Sequence, residues 1–125
     1  MFSKDFLTSV GREGLWNMIK GFDDHTAYAQ CIFAFCEGPD AEPQVFVGKC
    51  DGKIVPPRGE NMFGWDPVFE PKDYNETFAE ISLEEKNKIS HRANALKLVK
   101  KFLEENQSDL SSRLWFVYKI LNCFN

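Results

Sequence analysis

The chain has 125 residues, with 15 basic and 19 acidic side chains and a formal charge of −4. A hydrophobic share of 43% beside 27% charged residues supports a core and excludes disorder throughout. The length fits one domain, and the acidic balance argues against duplex DNA or an anionic membrane, since both favour a basic face.

Residues 2–20 carry helical periodicity. Phe2, Phe6 and Val10 recur at i, i+4 and i+8, and Leu15, Met18 and Ile19 at i, i+3 and i+4. Gly11 and Gly14 are expected to divide this stretch into two helices, and Gly21 to close the second as its left-handed cap. The opening Met1-Phe2-Ser3-Lys4-Asp5 mixes charges and leads into no apolar signal segment. No apolar run approaches the ~18 residues of a spanning helix.

Residues 27–36, Ala-Tyr-Ala-Gln-Cys-Ile-Phe-Ala-Phe-Cys, read as a buried strand. A loop with Gly38, Pro39 and Pro43 follows. Val45-Phe46-Val47 starts a second strand, and Asp51-Gly52 reads as a hairpin turn between Val45–Cys50 and Lys53–Val55. The order predicts an antiparallel meander. Cys31, Cys36, Cys50 and Cys123 show no C-x-x-C spacing, which argues against zinc. Cys31 and Cys36 fall on opposite faces of one strand, which argues against a disulfide between them. The cysteines read as reduced thiols of a cytoplasmic protein.

Phe63-Gly64-Trp65-Asp66-Pro67-Val68-Phe69 is too broken by Gly and Pro for a long strand. Ser82-Leu83-Glu84-Glu85 has capping-box form and predicts a helix from about 82 through Lys86. A second helix is expected from near Ser90 to about 105–107. Its apolar stripe is read as Ala93, Leu96, Val99, Phe102 and Leu103. Residues 1–107 are taken as one domain. Residues 108–125, with Leu114-Trp115-Phe116-Val117-Tyr118, are read as a divergent apolar tail, either packed or exposed and prone to aggregate.

Two clusters stand apart from this scaffold. One is Arg58-Gly59 with Phe63-Gly64-Trp65-Asp66-Pro67; the other is Glu85-Lys86-Asn87 with Ser90-His91-Arg92. Taken singly, the aromatics read as core, Asp66 as a turn residue, and His91 and Arg92 as solvated helix positions. In order along one chain they resemble the inosine triphosphate pyrophosphatase family. The resemblance runs through Glu13-Gly14-Leu15, Gly21-Phe22, Ala27-Tyr28-Ala29, Gly52-Lys53-Ile54-Val55, Phe78-Ala79-Glu80 and Ala95-Leu96, and covers roughly residues 11–106.

The resemblance implies an α/β fold, a mixed sheet with flanking helices. It implies hydrolysis of ITP, dITP and XTP to the monophosphate and pyrophosphate, with Mg²⁺ and a homodimeric assembly. Placed on this sequence, Phe63 and Trp65 would stack on the base, with Gly64 and Asp66 in the same turn. Ser90, His91 and Lys86 would reach the purine edge. Arg92, a donor-only side chain, would pair with the 6-oxygen of hypoxanthine or xanthine and meet the 6-amino group of adenine as a second donor. Asp66 would orient a basic partner or the substrate; no catalytic residue beyond it is singled out.

The family's N-terminal strands, phosphate loop and metal carboxylates have no counterpart recognised in this sequence. Asp5, Glu13, Asp23 and Asp24 read as solvated, so no metal ligand is assigned. The chain by itself is accordingly expected to be impaired in hydrolysis. The alternative is an inactive base-binding or regulatory module that pairs with a full-length subunit. A nucleic-acid platform is the weakest reading, for want of a basic stripe.

Overall fold

The structure is a computed structural model and describes residues 4–60 and 63–106. The tail expectation for residues 108–125 lies outside the described residues. Elements run in the order α1 (Lys4–Ile19), β1 (Thr26–Phe35), β2 (Gln44–Ile54), a short 3-10 helix (Asp66–Val68), β3 (Phe69–Pro71), α2 (Leu83–Ile89) and α3 (His91–Glu105). Among the described residues no helix is long and apolar enough to cross a membrane. The three strands form one antiparallel sheet in the order β1-β2-β3. The α/β arrangement with flanking helices is present.

The break expected in the first helix falls at Gly11. Its φ of 69° and ψ of 176° interrupt the helical path, a region open to glycine almost alone. Gly14 stays within the helix. Gly21 is not among the glycines at positive φ, which are Gly11, Gly59 and Gly64. It therefore does not serve as the left-handed cap expected of it, and the Phe22 amide closes the turn on Ile19 O at 2.9 Å.

The hairpin turn expected at Asp51-Gly52 does not form. β2 runs unbroken through both residues, with Tyr28 opposite Asp51 and Ala27 opposite Gly52. The reversal lies instead in the proline-containing loop before Gln44. Gly52 is in the strand because a neighbour approaches closely. A Cβ there would overlap Glu70 O and the Phe69 ring on β3.

β3 brings Glu70 into the interior, where it is 6% exposed. Arg58 Nη2 donates to it at 2.6 Å and Lys53 Nζ pairs with it at 2.7 Å. Burial alone would push this carboxyl up; the two cationic donors outweigh it and hold it below the usual range. Arg58 also ties its backbone to Pro67 O at 2.9 Å, and its carbonyl accepts from Thr77 Oγ1 at 3.1 Å. Arg58 thus belongs to the scaffold behind the aromatic turn.

One face of the β1–β2 hairpin packs on α3. Phe35 and Phe46 meet Phe102 at 5.6 and 5.3 Å between ring centroids. Gly48 lies directly beneath α3, where a Cβ would overlap the backbone of His91 and Ala95. Ala95 is fully buried there, while Leu96 is half-exposed. The stripe read from the sequence departs at one position: Phe102 packs on the sheet and Ala93, Val99 and Leu103 are partly buried, but the closest approach of helix to sheet selects the smallest residue, Ala95, and Leu96 turns outward.

Candidate functional site

Three walls enclose an open cleft of about 1230 Å³. The first half of α1 contributes Leu7 and Thr8, with Arg12 just past the kink. The turn before the 3-10 helix contributes Phe63, Gly64, Trp65 and Asp66. The α2–α3 corner contributes Lys86, Asn87, Ser90, His91 and Arg92, and α3 continues the wall through Leu96, Lys97 and Lys100. All eight site residues read from the sequence line this one cleft. None of Asp5, Glu13, Asp23 and Asp24 does; Asp24 Oδ1 accepts from the Thr26 amide at 2.8 Å.

The turn is built by local chemistry. Gly64 takes φ 52°, the Asp66 amide donates to Phe63 O at 3.1 Å, and the Val68 amide to Trp65 O at 3.0 Å. Pro67 needs no amide partner and presets φ for the 3-10 turn. Pro67, Val68 and Phe69 are buried and anchor this segment. Trp65 packs edge-on to Phe69 at 5.4 Å and lies 6.1 Å from Phe78. It is half-buried, a fixed wall continuous with the core. Phe63 is 52% exposed and presents a more open face.

Ser90 forms the opposite corner. It ends α2 and starts α3 with one extended conformation, φ −62° and ψ 151°. Its Oγ accepts from the Ala93 amide at 3.2 Å, an N-cap bond. Ser82 caps α2 in the same way through the Glu85 amide at 3.2 Å. The return half of the capping box is replaced: Glu85 Oε1 accepts from Tyr74 Oη at 2.7 Å.

His91 follows Ser90 and is buried between Trp65, 5.4 Å away, and Phe78, 6.2 Å away. Its Nδ1 is buried without a hydrogen-bond partner. Burial first, then the charges of Arg92 and Lys86, push this imidazole down to about 4. His91 is neutral at physiological pH.

Asp66 is 4% exposed, and Lys86 Nζ donates to its Oδ2. Burial raises the Asp66 pKa, while Lys86, Arg92 and Arg12 oppose that rise. The Lys86 ammonium also sits 5.2 Å from the centroid of the Phe78 ring and 5.8 Å from that of Phe63. Among the described residues that line the cleft, Arg12, Lys86, Arg92, Lys97 and Lys100 stand against one carboxylate, Asp66, while Lys100 also pairs with Glu104 at 3.7 Å. An acidic chain has built a cationic cleft, suited to an anion that carries a flat ring.

Sequence reasoning missed Arg12, Lys97 and Lys100. Lys100 shares a helical face with Arg92 and Leu96, a spacing of four that was legible once α3 was placed. Arg12 had no such signal, because its partner lies 52 residues away.

The sequence model of the Ham1 family matches residues 1–102. The inosine triphosphate pyrophosphatase of Yarrowia lipolytica is 58% identical over 105 residues, 84% of this chain and 56% of that protein. The Ham1 protein of Staphylococcus aureus is 40% identical with a TM-score of 0.69, over 75% of this chain and 49% of that one. A nucleoside-triphosphatase and dITP/XTP pyrophosphatase from Mycobacterium abscessus is 34% identical with a TM-score of 0.58, over 68% of this chain and 46% of that one. The chain spans about half the length of the curated relatives it matches. With its domain match over most of its length, the chain belongs to the Ham1 family.

Proposed function

We propose that this chain carries the purine-recognition half of a nucleoside triphosphate diphosphatase, a hydrolase that converts ITP, dITP and XTP to the monophosphate and pyrophosphate. The observation that supports this best is one cleft uniting the aromatic turn, the Ser90-His91-Arg92 corner and five cations. The relatives named inosine triphosphate pyrophosphatase and dITP/XTP pyrophosphatase support the same class.

The base enters between Phe63 and the Trp65 wall. Stacking contributes ~1–3 kcal/mol per base and is indifferent to base identity. Selectivity comes from the edge. Arg92 donates to a 6-oxygen, whereas a 6-amino group leaves both donors unpaired. The Ser90 hydroxyl keeps its proton for the purine edge while its oxygen caps α3. His91, held neutral, offers one donor and one acceptor. Lys86 is held by Asp66, so its position is fixed before a ligand arrives. Lys97, Lys100 and Arg12 supply positive charge along the cleft for the phosphates.

The family implies Mg²⁺, which supplies neutralisation of phosphate charge in such hydrolyses. A hard divalent cation needs several oxygen ligands, mostly carboxylate. Among the described residues, the one carboxylate lining this cleft is buried and bound to Lys86, and the other charged side chains there are positive. The residues described here do not fit the metal. That balance favours a second reading for the isolated chain: a base-binding module, slow in hydrolysis, that pairs with a complete subunit. The family reading also carries a homodimer and a cytoplasmic location.

The test uses the purified 125-residue chain. Titration calorimetry should show tighter binding of ITP than ATP, and pyrophosphate release from ITP with Mg²⁺ should be slow. Equal affinity for the two nucleotides would remove the base-recognition reading. Turnover at the rate of a complete family member would remove the binding-module reading.

A further inference from the structure

Arg12 reaches from α1 to the aromatic turn: its Nε donates to Gly64 O at 2.8 Å. The contact depends on two unusual backbone positions. At Gly11, φ 69° and ψ 176° end the first helical segment, so Arg12 opens the second. At Gly64, φ 52° sets the direction of the carbonyl that Arg12 holds. No atom would obstruct a Cβ at either glycine, so backbone conformation, not space, requires glycine there. The second helical segment has its own anchor: Trp16 meets His25 edge-on at 5.0 Å, just before β1.

We propose that Arg12 is a positioning residue for the base-binding turn: by holding the Gly64 carbonyl, it fixes the pitch of Phe63 and Trp65 across the cleft from α3. The inference rests on the reading of the cleft as a base site and deepens it. A charged donor on a carbonyl is among the stronger hydrogen bonds available. Gly64 has no side chain to pack, so this bond replaces the packing that would otherwise hold the middle of the turn. Trp65 is braced by Phe69 and Phe78 from behind; Arg12 braces its neighbour from the α1 side. Its charge also acts on Asp66 at the far end of the turn, beside those of Lys86 and Arg92.

The experiment uses the full chain with Arg12→Gln and Arg12→Lys. In the ligand-free proteins, Arg12→Gln should move the Gly64 amide and Trp65 indole resonances and leave the β1–β2 amides in place. It should weaken inosine monophosphate by about tenfold, and Arg12→Lys, which keeps the charge and a donor, should recover part of both effects. Unmoved Gly64 and Trp65 resonances would overturn the proposal. So would shifts spread through the hairpin, which would make Arg12 a general stability residue. If Arg12→Gln does not fold, Arg12→Lys against the unaltered chain carries the same comparison. Failure of the unaltered chain to bind inosine monophosphate would refute the base-site reading, and the ligand-free resonances would still decide the role of Arg12.

Discussion

Lys86, on α2, donates its ammonium to Asp66 Oδ2 in the aromatic turn, joining residues 20 positions apart across the cleft. The side chains are 18% and 6% exposed, so both charges are largely out of water. A buried carboxylate is tolerated there because its partner is in place.

Replacing Lys86 by Met should leave Asp66 buried and unpaired. The expected loss is about 1–3 kcal/mol, the desolvation cost of a polar group without its partner. The pH dependence has a definite sign. Burial raises the Asp66 pKa in the folded state above its ordinary 3.8, so the folded chain binds the proton more tightly than the unfolded one. The stability from that proton is present below the ordinary value and is lost as pH rises through the folded value. Lys86→Met raises the folded value further. Urea unfolding should therefore show a deficit that is large at about pH 7 and narrows toward about pH 4. A deficit independent of pH would show that Lys86 acts through packing alone.

His91 works in the opposite direction. Its folded pKa of about 4 lies below the ordinary 6.5, so the unfolded chain binds more protons between those values. The stability it contributes is fully present above 6.5 and is lost as pH falls toward about 4. His91→Phe keeps an aromatic ring beside Trp65 and Phe78 and removes the orphan Nδ1. The slope of stability against pH in this window should flatten in that variant. An unchanged slope would mean that other groups set the acid limit.

Gly48→Ala tests how the sheet positions the site. A Cβ at Gly48 would overlap the backbone of His91 and Ala95. Overpacking of this kind costs about 1–3 kcal/mol, and more where backbone must move. Because the obstructed atoms open α3, inosine nucleotide binding should fall too, although Gly48 does not line the cleft. Thermal unfolding and calorimetry on the same variant would check both effects. Intact affinity in a destabilised protein would separate the α3 start from the site.

Arg92→Ala and Trp65→Ala should part in their selectivity. Trp65→Ala is expected to weaken inosine and adenosine nucleotides by similar factors, since stacking ignores the exocyclic group. Arg92→Ala should weaken the inosine ligand by about 10- to 100-fold, the factor for a ~1.5–3 kcal/mol bond to a charged donor, and spare the adenosine ligand. Fluorescence titration of three proteins against two nucleotides decides it. Equal losses on removing Arg92 would make it a phosphate contact.

The local features of this chain were legible before the fold. The Ser82 and Ser90 caps, the break at Gly11 and the end of α3 near Glu105 follow from chemistry within a few positions. The eight candidate residues were picked out by the order along the chain that carried a family resemblance, and all of them line one cleft. Tertiary structure decided the rest. Asp51-Gly52 has hairpin chemistry, yet ten residue pairs with β1 keep it in one strand. Leu96 has core chemistry, yet close approach of α3 to Gly48 gives the buried position to Ala95. A net charge of −4 argues against a basic face over the whole chain, and it says nothing of the five cations that the fold gathers in one cleft. In each case the outcome depends on contacts between residues far apart in sequence. A local preference of a few tenths to about one kcal/mol yields to pairing and packing summed over a whole element.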